Sequence, residues 1–243
     1  MNKFDCALAE QLCRDYDCTL TELASEKNVF RPYRRVEGAR PVGEASLLKM
    51  AAYHEKLLVM ADARLLPWCE ERFGNSRGVW LSEPQRLVEI NAKLVEMGQR
   101  LTDTHHHYLP REDFVPVAQR FAERWYEQGE METFREDDRF DEALLFDEET
   151  PDMLAVCAMA GETILGMAAA TRNCEKLWEI GVNVTEAGRG QGVGTYVTAR
   201  LREELLTRGI VPTYATAESH IKSQRVAMRA GFEPTFYELF SEK

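Results

Sequence analysis

The chain of 243 residues lacks the features that mark membrane, secreted and nucleic-acid-wrapping proteins. No apolar run approaches the ~20 residues needed to cross a bilayer. The first twenty residues carry Lys3, Asp5, Glu10, Arg14, Asp15 and Asp17. Those charges leave no apolar core for a signal peptide, so a cytoplasmic protein is expected. The six cysteines (Cys6, Cys13, Cys18, Cys69, Cys157 and Cys174) form no C-x-x-C pair. No histidine stands at ligand spacing from two of them. A disulfide framework is not expected in a chain this long, and free thiols are. Positive charge is also short: 30 Lys and Arg stand against 41 Asp and Glu, a net charge of −11. Such a chain is a poor candidate for binding nucleic acid or an anionic membrane. The acidic balance mildly favours cationic partners, although a solubilising surface accounts for it as well. No repeat and no low-complexity tract is visible.

What is there is ordinary globular material, 44% hydrophobic and 29% charged. The length suits one large domain or two small ones. Residues 1–26 read as one or two short helices, with Leu8, Leu12, Leu20 and Leu23 spaced for one face. Residues 28–46, rich in Arg, Pro and Gly, read as loop. Two apolar runs, 47–52 and 57–61, flank His54-Glu55-Lys56 and read as a hairpin, with a single helix as rival. Residues 63–73 read as a helix ended by Gly74-Asn75. Ser82 is an expected N-cap before a helix with Pro84 in its first turn. A strand is expected near 103–109. Residues 113–135 look amphipathic and are left unassigned between helix and strand, and the acidic stretch 135–152 reads as loop with a short helix. A domain boundary is placed at Pro110 to Asp113, giving an N-terminal α/β region (1–112) and a C-terminal domain (113–243).

The C-terminal part is more legible. Strands are expected at 153–159, 164–170, 177–184 and 210–217, with a last extended segment at 232–240. Helices are expected at 191–208, stopped by Gly209, and at 221–230, stopped by Gly231. The order β-β-β-α-β-α-β is an α/β layer arrangement.

Between the third of these strands and the first helix lies Arg189-Gly190-Gln191-Gly192-Val193-Gly194-Thr195. Glycines let backbone approach a ligand closely, and the helix behind them offers unpaired N–H groups and a positive dipole end. The combination suits a pyrophosphate. It is not a Walker loop, because no lysine follows Gly194. Nor is it G-x-G-x-x-G at the start of a βαβ unit.

This segment resembles the acetyl-CoA loop of the GNAT superfamily of N-acetyltransferases, R/Q-x-x-G-x-G/A, through Arg189, Gly192 and Gly194. Family members often carry an N-x-x-S-like element at the next helix, which ends in Gly-Phe. Here that is His220-Ile221-Lys222-Ser223, ending in Gly231-Phe232. The resemblance covers roughly residues 114–243. It implies a mixed, mostly antiparallel sheet flanked by helices, and direct attack of a small-molecule or peptide primary amine on acetyl-CoA. It implies no metal. Two departures stand out. His220 replaces the usual Asn, and Ala227 stands where many members place a tyrosine that protonates the departing thiolate. The whole chain also looks like a bacterial GNAT group with an extra N-terminal α/β region. That region reads as substrate-lining or as serving a homodimer.

Carried onto this sequence, the resemblance puts oxyanion donors on the backbone around Val182 to Val184. Arg189 would pair with CoA phosphate. Backbone N–H groups of Gln191 to Thr195, Val193 among them, would hold pyrophosphate, with the Thr195 hydroxyl adding a bond. Ser223 would bond the pantetheine arm or pyrophosphate. His220 would contact CoA, shuttle a proton or cap its helix. On the strand itself, alternation sets Glu179, Gly181 and Asn183 on one face. Glu179 is the expected general base, and Asn183 would orient substrate or cap a bulge. Tyr237 is a weaker candidate acid. His105 and His107 share strand parity with Asp103, but a structural or substrate-lining role is favoured over a metal site. A catalytically degenerate acyl-CoA-binding sensor or interaction module is the rival reading.

Overall fold

The computed structural model describes residues 3–42, 46–102 and 104–243. Asp103 lies outside the described residues. The chain opens with helices α1 (Lys3–Asp15) and α2 (Leu20–Ala24). Thr19 and Glu22 close a reciprocal capping box at the start of α2, which satisfies two otherwise orphaned N–H groups. Strand β1 (Val29–Pro32) follows, inside the stretch expected to be loop. Its partner in a parallel pair, β3 (Lys56–Ala61), lies far along the sequence. A four-residue strand with so distant a partner leaves little local signature. The hairpin expectation holds: β2 (Leu48–Tyr53) pairs antiparallel with β3, turning at His54.

Helices α3 (Leu66–Phe73) and α4 (Pro84–Val95) come next. Ser82 is not the cap of α4. Glu83 takes that position, and no side chain bonds the first turn. Pro84, which has no N–H to satisfy, starts the helix without such a bond. Strands β4 (Arg100–Leu101), β5 (His105–Pro110) and β6 (Ala122–Glu127) follow. The ambiguous 113–135 segment is thus a strand and then a 3-10 stretch at Gln128–Phe134. A second 3-10 turn spans Asp138–Phe140. The remainder is β7 (Asp152–Ala160), β8 (Thr163–Thr171), β9 (Leu177–Val184), α5 (Val193–Thr207), β10 (Val211–Ala217), α6 (Ile221–Arg229) and β11 (Phe232–Glu242). All of these fall where the sequence placed them.

The chain forms two compact units. One comprises Met1–Ala7, Tyr108–Ala215 and His220–Glu233; the other comprises Leu8–His107, Thr216–Ser219 and Pro234–Lys243. In the first, β6, β7, β8 and β9 are antiparallel neighbours, and β10 joins β9 in parallel. Alternation along these strands sorts their side chains onto two faces. On one face Leu154, Val156, Ala168 and Ile180 pack with Val193, Val197, Leu201 and Leu205 of α5. On the other, Ala155, Cys157, Met167 and Ala169 pack with Met131, Phe134 and Phe140 of the 3-10 segments and with Leu144 just beyond them. A fully buried Leu or Phe contributes about 1.5–3 kcal/mol, so both faces are secured.

In the second unit β2 and β3 are joined by β1 and by β11, which also pairs with β4. Leu48, Met50, Leu57 and Val59 pack with Phe73 of α3, Ile90 and Leu94 of α4, and Leu239 of β11. This unit also encloses charge. Arg40 bonds Asp15 at 2.5 Å and Glu238 at 3.0 Å, and Lys49 lies 3.7 Å from Glu238. Tyr16 donates to Glu238 at 2.6 Å. His107 Nε2 sits 3.4 Å from Glu238, and its ring stacks on Phe236 at 4.3 Å. Despite that carboxylate, burial pulls the His107 pKa down to about 3, so the ring is neutral. The structural role favoured for the His105–His107 run fits this packing.

Candidate functional site

In the first unit β9 and β10 begin side by side. Their ladder joins Leu177 to Val211, Trp178 to Pro212 and Glu179 to Thr213. It goes no further, although β9 runs to Val184 and β10 to Ala217. On its other side β9 stays paired with β8 as far as Val184. The β9 edge beyond Glu179 therefore parts from its parallel neighbour. Val182 and Val184 lie on this stretch, half-buried and packed against the α5 core.

The chain then turns toward α5. A 3-10 turn at Glu186–Gly188 leads to Arg189, Gly190 and Gln191, all exposed. Gly190 has φ +74° and Gly192 has φ +76°. Both sit in the left-handed region, which costs a side-chain-bearing residue roughly 1–2 kcal/mol. Gly192 is the N-cap of α5, and no side chain caps the helix. The first-turn N–H groups, behind an exposed glycine, keep their capacity for an outside acceptor. Val193 and Gly194 are buried under the loop, so they can offer only backbone. Thr195 is half-buried. Gln191 folds back to donate to the Ala187 carbonyl at 2.6 Å, which braces the loop.

The polar face of β9 is partly covered. A Cβ on Gly181 would lie 2.1 Å from the Glu142 carbonyl oxygen. Only glycine permits that approach. Asn183 Oδ1 accepts from the N–H groups of Glu142 at 3.0 Å and Ala143 at 2.7 Å, and its amide donates to Asp141 at 3.1 Å. Its side chain thus pins residues 141–143 against the strand. Glu179, half-buried at the last paired position, lies beyond Gly181 on the same face.

Across the split, Ser223 of α6 and Tyr214 of β10 share a hydrogen bond of 2.8 Å. Burial pushes the Tyr214 phenol above its ordinary pKa, with Glu142 and Glu179 adding to the rise. Nothing in the sequence marks Tyr214, and Asp141 and Glu142 read there only as part of an acidic stretch that could attract a cationic amine or lie as a solvated loop. Their signal is three-dimensional, since neither falls in a motif. His220 occupies the N-cap position of α6, but its exposed ring makes no capping bond. Ala227 is fully buried in the α5 core. Tyr237 belongs to the second unit, where it packs with Leu239, and its ring lies 5.3 Å from that of His106.

A family model described as GNAT acetyltransferase matches residues 118–239, half of the chain. The chain belongs to the GNAT acetyltransferase family. Among solved structures it is similar to a GCN5-related N-acetyltransferase from Sphaerobacter thermophilus, at 14% identity and a TM-score of 0.49, over 97% of this chain and 91% of the other. It is also similar to a GCN5-related N-acetyltransferase-like protein from Streptococcus suis, at 18% identity and 0.48, over 84% and 87%. No curated protein matches the chain.

GNAT proteins use acyl-CoA. The residues present fit a pyrophosphate-bearing co-substrate: an uncapped helix start behind two left-handed glycines offers several N–H donors to one anion. Among the described residues no group of three His, Cys, Asp or Glu could hold a metal ion. Nor is any described helix long and apolar enough to cross a membrane.

Proposed function

We propose that the protein is an N-acetyltransferase that moves an acetyl group from acetyl-CoA to a primary amine by direct attack. The observation that carries this reading is one pairing of features. The β9 edge is released from β10 beyond Glu179, and it leads directly into the uncapped start of α5. A thioester carbonyl laid along that edge would meet backbone N–H groups. A pyrophosphate at the helix start would meet the N–H groups of Gln191 to Thr195, with Arg189 close by on the same loop.

Acetyl-CoA supplies the activated acyl group. The rest of the chemistry falls to this chain. Backbone N–H groups around Val182 and Val184 stabilise the negative charge that develops on the carbonyl oxygen. Glu179 takes the proton from the attacking ammonium, directly or through water. The released thiolate is a good leaving group and needs no strong acid. Ser223, oriented by Tyr214, donates a hydrogen bond to the pantetheine arm. Asn183 acts through position, holding residues 141–143 as one wall of the acceptor side.

A second reading keeps the loop but not the turnover: an acyl-CoA-binding sensor or interaction module. The buried Ala227 favours it, since no phenol can act from that position. Release of CoA thiol, followed with a panel of primary amines, separates the two. Amine-dependent release supports the transferase. Tight acetyl-CoA binding with no release above hydrolysis across the panel supports the module.

A further inference from the structure

Where α1 ends, the backbone sets two cysteines against each other. The N–H of Cys18 donates to the Cys13 carbonyl at 2.9 Å, and that of Asp17 to the Arg14 carbonyl at 3.4 Å. Asp17, inside this turn, has φ +49°. Two such bonds closing over a left-handed residue form a Schellman motif, which brings the side chains at its two ends into contact. Aspartate is among the few residues besides glycine that visit this backbone region routinely. The turn is also braced from outside. Arg31 donates to the Asp17 carbonyl at 3.0 Å, and Arg34 to the Asp17 carboxylate at 2.7 Å.

The contact between the ends of this motif is frequently hydrophobic. Here it is thiol against thiol. Cys13 and Cys18 are both half-buried, and their side chains hydrogen-bond each other. Backbone bond lengths and the bond from Cys18 to Cys13 hold the two Cα atoms within about 6.8 Å. Disulfides span Cα separations of about 4.4–6.8 Å. The other thiols are placed differently: Cys69 and Cys157 are buried, and Cys174 donates to the Leu177 carbonyl at 3.5 Å.

We propose that Cys13 and Cys18 form a site of reversible oxidative modification, closed to a disulfide by exchange with a low-molecular-weight disulfide. Both residues belong to the second unit, and the inference stands apart from the proposed activity. Cys13 acts first. The Cys18 thiol donates to it and the Lys56 ammonium lies nearby, and both favour its thiolate, although burial raises its pKa overall. Burial pushes the Cys18 thiol up to about 12.

The Cys13 sulfur gives its proton to solvent and attacks one sulfur of the small disulfide. A mixed disulfide forms, and the first small thiol leaves with a proton from solvent. Cys18 then gives up its proton and attacks the Cys13 sulfur. The mixed bond breaks, and the second small thiol leaves protonated. The protein loses two electrons and two protons, and the small disulfide becomes two thiols. Because both cysteines are protonated at neutral pH, the exchange is slow. The geometry favours its completion, since the second step joins sulfurs that already meet.

The test equilibrates the purified full-length Cys6→Ser protein with mixtures of oxidised and reduced glutathione, then alkylates it under denaturing conditions and maps tryptic peptides by mass. Cys6 is exposed, and its removal leaves Cys13 as the one cysteine of the peptide 4–14. The expected product is peptide 4–14 linked to peptide 15–27 and separated again by reductant. Folded protein should close at a ratio of oxidised to reduced glutathione at least about tenfold lower than urea-unfolded protein needs. With Cys18→Ser added, exchange should stop at a glutathione adduct on Cys13. The linked pair and its urea comparison decide the matter if that variant does not fold. Absence of the linked pair overturns the proposal. So does closure that is no more favourable in the folded protein than in urea, or a folded Cys18→Ser variant that carries no adduct.

Discussion

The two units treat polar groups in opposite ways. In the second, Asp15, Lys49, Arg40 and Glu238 are buried or nearly so, and they satisfy one another. In the first, the glycine loop leaves the start of α5 uncapped behind exposed residues. Closed pairing of buried charges secures a fold, whereas donors left open at a helix start serve something from outside. Mere polarity does not distinguish a site from a scaffold. What distinguishes them is whether the chain supplies the partner.

The sharpest way to break this contrast is at Glu179. If β9 carries the chemistry, Glu179→Gln lowers kcat by about 10²–10⁴-fold while the protein melts normally. Steady-state thiol release across pH measures it, and a near-normal rate removes Glu179 from the base role. The counterpart in the second unit is Glu238→Ala. That change leaves Arg40 and Lys49 with Asp15 alone, and it should cost about 3–5 kcal/mol of stability, read by urea unfolding. A loss under about 1 kcal/mol would mean that the buried cluster is not closed in the way described.

A smaller effect is expected at Asn183. Asn183→Ala removes three hydrogen bonds to residues 141–143, and about 1–3 kcal/mol of stability should go with them. Because its amide is already committed to the chain, the KM for acetyl-CoA should hold. A tenfold rise in that KM, with stability unchanged, would argue for ligand contact instead.

The gentlest test is pH. Burial would raise the Glu238 pKa, but Arg40 and Lys49 overcome it and hold it at about 2. Its stabilising share is therefore full above the ordinary carboxylate range and is lost as pH falls from about 4.5 toward 2. His107, kept neutral by burial with a pKa of about 3, acts in the same direction. Its share is full above pH ~6.5 and fades on acidification, because the unfolded state takes up the proton first. Unfolding free energy should thus begin to fall below pH ~6.5. In His107→Phe the onset should move down toward the carboxylate range. An unchanged onset in that variant would contradict the assignment.

How much of this was legible beforehand follows the same division. From β7 to β11 nearly every element was readable, because alternating apolar strands and glycine-stopped helices write their periods locally. The loop from Arg189 to Thr195 was readable for the same reason, since its glycines carry the conformation themselves. The N-terminal half was harder. β1 is four residues long with a distant parallel partner, and β6 carries charged residues on a strand whose neighbour is β7. The start of α4 misled, because a serine is a common cap yet here the proline at the next-but-one position sets the helix. Around the site, Glu179 and Asn183 could be placed on one face by alternation alone. That Asn183 would be spent on residues 141–143, and that Tyr214 would meet Ser223, depended on packing that no local pattern records.

The central claim is that the open loop of the first unit binds the acyl donor. Calorimetric titration of the full chain with acetyl-CoA tests it most directly, with Gly192→Glu as control. That variant puts a side chain at a left-handed backbone position and a negative charge where pyrophosphate should lie. Micromolar-range binding by the wild type, lost in a variant that still melts cooperatively, is the predicted result. Absence of binding by the wild type, or equal binding by the variant, would contradict the account.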